Sequence, residues 1–205
     1  MNLPNKITLS RIFIVPIFMV FVLPFPDWVM SSNCLKFIAP QLISINSFIM
    51  NYGNYIAAIL FIIAASTDGI DGYIARKRKQ ITRFGKFLDP VADKLLVTAA
   101  LIALVQRGGL TGWAAMIIIF RELLVMALRM IASGEGYVIS ASYLGKIKTI
   151  IQIVAIVASL TKNFPLNLIT SFQFDRYAMF IAVLITIYSG YDYFKKNEKF
   201  IDYNK

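Results

Sequence analysis

Apolar residues in this chain come in long runs, not in the every-other-residue alternation of a half-buried strand. The runs occupy 12–23, 51–76, 87–106, 113–131, 143–160 and 174–194. About 20 apolar residues in a helix cross a bilayer, and inside lipid only helices and closed barrels satisfy their own backbone hydrogen bonds. The pattern therefore predicts an all-α fold: a polytopic membrane bundle of six transmembrane helices, led by an interfacial segment ending at residue 11. Pro16 is expected to kink the first span. Residues 24–50 read as a longer loop with scattered apolar positions and room for a partial interfacial helix. Glycines and prolines punctuate the remaining connections: Gly108, Gly109 and Gly112, then Gly134 and Gly136, then Pro165. No internal repeat or second domain is evident, so 1–205 reads as one domain.

Composition sharpens this picture. The 205 residues are 58% hydrophobic, with a mean hydropathy of +0.68, above that of an ordinary soluble domain. Histidine is absent, which removes imidazole acid–base chemistry, Ser-His-Asp triads and most zinc sites. The single cysteine, Cys34, has no partner for an intrachain disulfide and no histidine to activate it. The formal charge of +10 suits anionic lipid and membrane topology better than nucleic acid. No small-residue cleavage pattern follows the first apolar run, which argues against a signal peptide. Six spans place both termini on one side. All but four of the 21 lysines and arginines (Lys36, Arg107, Lys162 and Arg176) then fall toward that side. The positive-inside rule makes it cytoplasmic. Trp28, Trp113 and several tyrosines near span ends read as an interfacial belt.

Candidate chemistry is concentrated between residues 66 and 97. Asp68 and Asp71 close the second span, and Asp89 and Asp93 open the third. A carboxylate in apolar surroundings is costly without a compensating partner or metal. At about 100° per residue, Asp68, Asp71, Gly72, Ala75 and Arg76 share one helix face, as do Gly85, Asp89 and Asp93 on the next helix. A short basic link returning the chain antiparallel would put both acidic faces near the same membrane surface. Converging carboxylates repel, and a hard divalent ion such as Mg²⁺, Mn²⁺ or Ca²⁺ resolves the conflict. Helix-end capping is the plain alternative for any one aspartate. A cation-transport path is the weightier rival for all four, although Gly72 and Gly85 clear room for something bulkier than an ion.

The pattern Asp68-x-x-Asp71-Gly72-x-x-Ala75-Arg76, eight residues, then Gly85-x-x-x-Asp89-x-x-x-Asp93 resembles the signature of the CDP-alcohol phosphotransferase family at every fixed position. The six-span layout is similar to that family's fold. The resemblance implies two divalent ions, Mg²⁺ or Mn²⁺, gripping the diphosphate of a CDP-linked substrate. Asp68, Asp71, Asp89 and Asp93 would be the metal ligands, and Asp93 would also act as general base on the incoming hydroxyl. It further implies that Gly72, Ala75, Arg76 and Gly85 accommodate the nucleotide and diphosphate, and that the protein is a homodimer.

Two outer motifs add to this. Asn5, Thr8 and Arg11 are spaced to reach phosphate, or else begin an ordinary interfacial helix with a snorkelling arginine. Their Pro-Asn-x-x-Thr-x-x-Arg setting is similar to one branch of the family, where it serves the nucleotide side. Arg121, Arg129, Lys146 and Lys148 lie on the fourth and fifth spans with Glu122 as the neighbouring acid. They read either as cations paired with acids and headgroups or as a pocket for an anionic acceptor. The Arg121-Glu122 pair with Arg129, and Gly145-Lys146-x-Lys148-Thr149, are similar to the same branch. That likeness implies CDP-diacylglycerol as donor and sn-glycerol 3-phosphate as acceptor, with CMP released on the cytoplasmic face. An inositol-phosphate-type acceptor and, from another class, a divalent-cation transporter remain the alternatives.

Overall fold

A computed structural model describes residues 3–26, 29, 39–77, 83–134 and 143–197, without the side chains at 3–5, 7, 39, 68–87, 89 and 90. Helices account for the regular structure, and no strand occurs among the described residues. The chain forms two compact units, Met1–Arg107 and Gly108–Lys205.

In the first unit, α1 spans Leu3–Val22 and stays helical through Pro16. The expected interfacial segment and first span are therefore one continuous helix. The next difference lies in residues 24–50. Helix α2 covers Ala39–Phe48, a π-helical turn covers Ile49–Gly53, and α3 follows at once over Asn54–Lys77. Helix thus begins twelve residues earlier than the pattern of apolar positions suggested. Polar residues that read as loop are satisfied locally. Ser44 Oγ donates to the Pro40 carbonyl at 3.1 Å. The Asn46 amide accepts from the Phe25 N–H at 2.8 Å and donates to the Phe25 carbonyl at 3.4 Å. Pro40, in the first helical turn, forfeits no intrahelical bond. Helix α4 completes the unit over Arg83–Gln106.

Helix α1 packs on both α3 and α4, and α3 packs on α4. Phe18 of α1 and Phe61 of α3 meet at 6.2 Å between ring centres. Ala57 and Ala64 of α3 and Ala92, Ala100 and Ala103 of α4 are also buried, and such small residues let helix backbones approach closely. Among the described glycines the closest approach is at Gly53, where a Cβ would collide with the Phe21 carbonyl oxygen.

The second unit holds α5 (Gly112–Gly134), α6 (Tyr143–Leu160), a short 3₁₀ turn (Leu166–Leu168) and α7 (Phe174–Lys196). The Thr111 hydroxyl accepts from the Ala114 N–H at 3.4 Å and caps the start of α5. Helix α7 packs against both α5 and α6. The α6–α7 connection is fastened by Asn163, whose backbone adopts a φ of 63°. Its side chain accepts from the Asp175 N–H at 2.6 Å and donates to the Asp175 carboxylate at 2.7 Å.

The helices present large apolar side chains outward. On α5, Met116, Phe120, Leu123 and Met130 are exposed, while Ala115, Ile118, Glu122, Val125 and Leu128 are buried. This inverts the arrangement of a water-facing helix, and contiguous apolar surface of this extent suits contact with lipid. Among the described residues, three helical stretches are long and apolar enough to cross a membrane: Pro40–Thr67, Tyr143–Leu160 and Phe174–Lys196. The apolar part of α1, Thr8–Val22, is shorter, and α4 and α5 carry charged residues within their length.

Candidate functional site

The aspartate motif maps onto two helices that touch. Asp68, Asp71, Gly72, Ala75 and Arg76 occupy the last turns of α3. Gly85, Asp89 and Asp93 occupy the first turns of α4, and α3 and α4 pack against each other. Asp68 directly follows the apolar stretch that ends at Thr67. Helical geometry thus holds the predicted register on both elements. The side chains of Asp68, Asp71, Gly72, Ala75, Arg76, Gly85, Asp89 and Asn5 lie outside the described residues. Asp93 is described: it is half-buried, and its Oδ2 accepts a 2.7 Å ion-pair contact from the Lys94 ammonium. Aspartates are all-oxygen donors, so the chemistry of these four residues would suit a hard divalent cation.

Helix α1 lies against both of these helices and brings Thr8 and Arg11 into the interior. Arg11 is 1% exposed and Thr8 1%. That corrects the snorkelling alternative, because a guanidinium so placed does not reach the aqueous interface. A buried arginine demands anionic or polar partners close by.

The second unit gathers most of the other predicted cations. Lys148 of α6 is 2% exposed and forms an ion pair with Glu122 of α5. Arg121 Nη1 stands 3.9 Å from the same carboxylate, and its Nη2 donates to Ser189 Oγ of α7 at 2.7 Å. Arg129 Nε donates to the Tyr193 hydroxyl at 3.1 Å, while its guanidinium carbon lies 5.5 Å from the centre of the Tyr193 ring. Arg121, Arg129 and Lys148 are thus joined through three helices, whereas Lys146 is exposed and stands apart. On α5 and α6 a single carboxylate, Glu122, faces these cations, so the cluster keeps a positive excess. Pairing with Glu122 and an anion-seeking surplus, the two expectations for these residues, coexist.

Ser189, Gly190 and Tyr193 were not legible as site residues. Gly190 leaves the space into which Arg121 lies: a Cβ there would sit 3.1 Å from Arg121 Cγ. The available signal was the small-polar Ser-Gly pair inside an apolar span, one turn before Tyr193. Tyr193, near the end of α7, is buried. Trp113, 83% exposed, fits the belt.

The fold and these residues define an all-α membrane protein with an acidic motif in its first unit and a buried cationic cluster in its second. Residues 1–188 match the family model for CDP-alcohol phosphatidyltransferase. The chain belongs to that family, whose members are enzymes that work with divalent metal ions. Among its relatives is a CDP-diacylglycerol–glycerol-3-phosphate 3-phosphatidyltransferase of Bacillus subtilis (strain 168), 47% identical over 96% of this chain and 95% of its own. Proteins of the same name from Rickettsia bellii (strain RML369-C) and Pectobacterium atrosepticum are 34% and 35% identical. They cover 97% and 94% of this chain and 97% and 92% of their own lengths.

Proposed function

We propose that this protein transfers the phosphatidyl group of CDP-diacylglycerol to sn-glycerol 3-phosphate, forming phosphatidylglycerophosphate and CMP. The observation that carries the reading is the chain-long likeness to relatives bearing that activity in their names, at up to 47% identity. The site supports it physically. An acidic motif on packed helices suits a metal-bound diphosphate, and a cationic cluster suits an acceptor that is itself phosphorylated.

The residues divide the work as follows. Asp68, Asp71, Asp89 and Asp93 hold two divalent ions, Mg²⁺ or Mn²⁺. When bound, these ions neutralise charge on the phosphoryl oxygens of the donor. Gly72, Ala75 and Gly85 leave clearance for the nucleotide, while Arg76, Asn5, Thr8 and Arg11 bind the nucleotide and diphosphate. Arg121, Arg129, Lys146 and Lys148 attract the phosphate of the acceptor. Asp93 takes the proton of the acceptor hydroxyl as that oxygen attacks the phosphorus bearing the diacylglycerol. The bond from this phosphorus to the bridging oxygen breaks, and CMP departs with the electron pair.

Residues 1–205 act as a single multi-pass transferase domain in the cell membrane, with both termini and the aspartates on the cytoplasmic side and with a second copy as partner. The lysine and arginine bias of the sequence supports that orientation. Purified protein in detergent, given CDP-diacylglycerol and Mg²⁺ or Mn²⁺, should release CMP only when glycerol 3-phosphate is added. Release with inositol phosphate in its place would reassign the acceptor. Divalent-cation flux into vesicles without any CMP would replace the enzyme reading with a transporter.

A further inference from the structure

We infer that α7, through Tyr193 and secondarily Ser189, positions the two arginines of α5 and so sets the affinity for a phosphorylated acceptor. This inference rests on the assignment of Arg121 and Arg129 to the acceptor phosphate.

Arginines at the i and i+8 positions of α5 each meet one hydroxyl of α7, and those hydroxyls stand at i and i+4. A long guanidinium side chain loses rotamer freedom when fixed, so an unheld arginine binds an anion less tightly than one already oriented. Tyr193 restrains Arg129 twice. Its hydroxyl accepts from Nε at 3.1 Å, and its ring lies 5.5 Å from the guanidinium carbon. A hydrogen bond at Nε leaves both terminal nitrogens of the fork, the pair suited to bidentate phosphate contact, unused by Tyr193. The tyrosine is itself held firmly, because it is buried beside Val125, Leu128 and Phe194. Ser189 acts in parallel by fixing Arg121 Nη2 at 2.7 Å, in the space left by Gly190. Neither hydroxyl is assigned contact with substrate. They are positioning residues.

The test is steady-state kinetics of Tyr193→Phe, which keeps the ring and removes the hydroxyl. KM for glycerol 3-phosphate should rise about ten-fold, the weight of one hydrogen bond to a charged group. KM for CDP-diacylglycerol and kcat should move far less. Tyr193→Leu, which also removes the ring, should raise KM for glycerol 3-phosphate further. In an Arg129→Ala background, Tyr193→Phe should add nothing, since its effect passes through that guanidinium. Thermal unfolding in detergent establishes that each variant is folded. An unmoved KM for glycerol 3-phosphate, or a full additional effect in the Arg129→Ala background, overturns the inference. If wild-type protein fails to use glycerol 3-phosphate at all, the acceptor assignment falls and this inference falls with it.

Discussion

Lys148 and Glu122 form an ion pair across α5 and α6 in the interior of the second unit. The pair is enclosed, with side-chain exposures of 2% and 10%, so the loss of either partner removes a compensating charge from a buried site. Arg121 leans on the same carboxylate at 3.9 Å. Glu122 therefore restrains two cations at once.

Replacing Glu122 with alanine should destabilise the protein by about 3 kcal/mol, the usual cost of breaking a buried ion pair from one side. The double variant Glu122→Leu with Lys148→Met should recover much of that loss while staying inactive, because a neutral pair packs but attracts no phosphate. Thermal unfolding in detergent together with CMP release separates the two quantities. A double variant that transfers normally would remove Lys148 from the acceptor site.

Asp93→Asn keeps the shape of the side chain and removes its basicity. We expect transfer to fall at least about 100-fold, the lower range for loss of a general base, with the unfolding temperature little changed. Appreciable retained activity would assign the proton to another acceptor.

Chelation by EDTA should abolish CMP release, and either Mg²⁺ or Mn²⁺ should restore it. Asp68→Asn and Asp71→Asn should each raise the metal concentration needed for half-maximal rate, since each removes a charged oxygen ligand. Activity indifferent to chelator would end the metal-dependent reading.

Arg11 is enclosed where α1 meets the helices that carry the aspartates. Arg11→Ala should raise KM for CDP-diacylglycerol about ten-fold or more, with Arg11→Lys recovering part, because an ammonium restores charge without the planar fork. A larger effect on KM for glycerol 3-phosphate would transfer Arg11 to the acceptor side.

Gly53→Ala tests the packing of the first unit. The added carbon meets a backbone carbonyl of Phe21, which cannot swing aside as a side chain would. Overpacking of this kind costs about 1–3 kcal/mol. The measured unfolding temperature should drop while turnover per folded molecule holds.

Much of this architecture was legible in the order of residues. The span at 143–160 was read to the residue, because polar and glycine positions precede it and a polar turn follows it. The aspartate register was legible because helical periodicity alone decides which residues share a face. A partial helix within 24–50 was allowed for, but its bounds over Ala39–Phe48 and its continuation into α3 were not legible, because Ser44 and Asn46 look like loop until their partners Pro40 and Phe25 are known. Ser189 and Tyr193 were missed for a related reason. A hydroxyl on an apolar helix gains meaning only from the arginine that another helix brings to it, and that pairing has no local pattern. Arg11 shows the same limit: its sequence neighbours suit an interfacial residue equally well, and only the packing of α1 encloses it.

The charged interior of α5 also bears on how the protein is assembled in the bilayer. Helices α6 and α7 are long and apolar enough to cross a membrane, whereas α5 carries Arg121, Glu122 and Arg129. A charged residue at the centre of a lone helix costs about 3 kcal/mol during insertion by the translocon. Lys148, Ser189 and Tyr193 relieve that cost only after their own helices have arrived. Biogenesis of this half should accordingly be concerted, with α5 retained at the translocon until its two successors can fold against it.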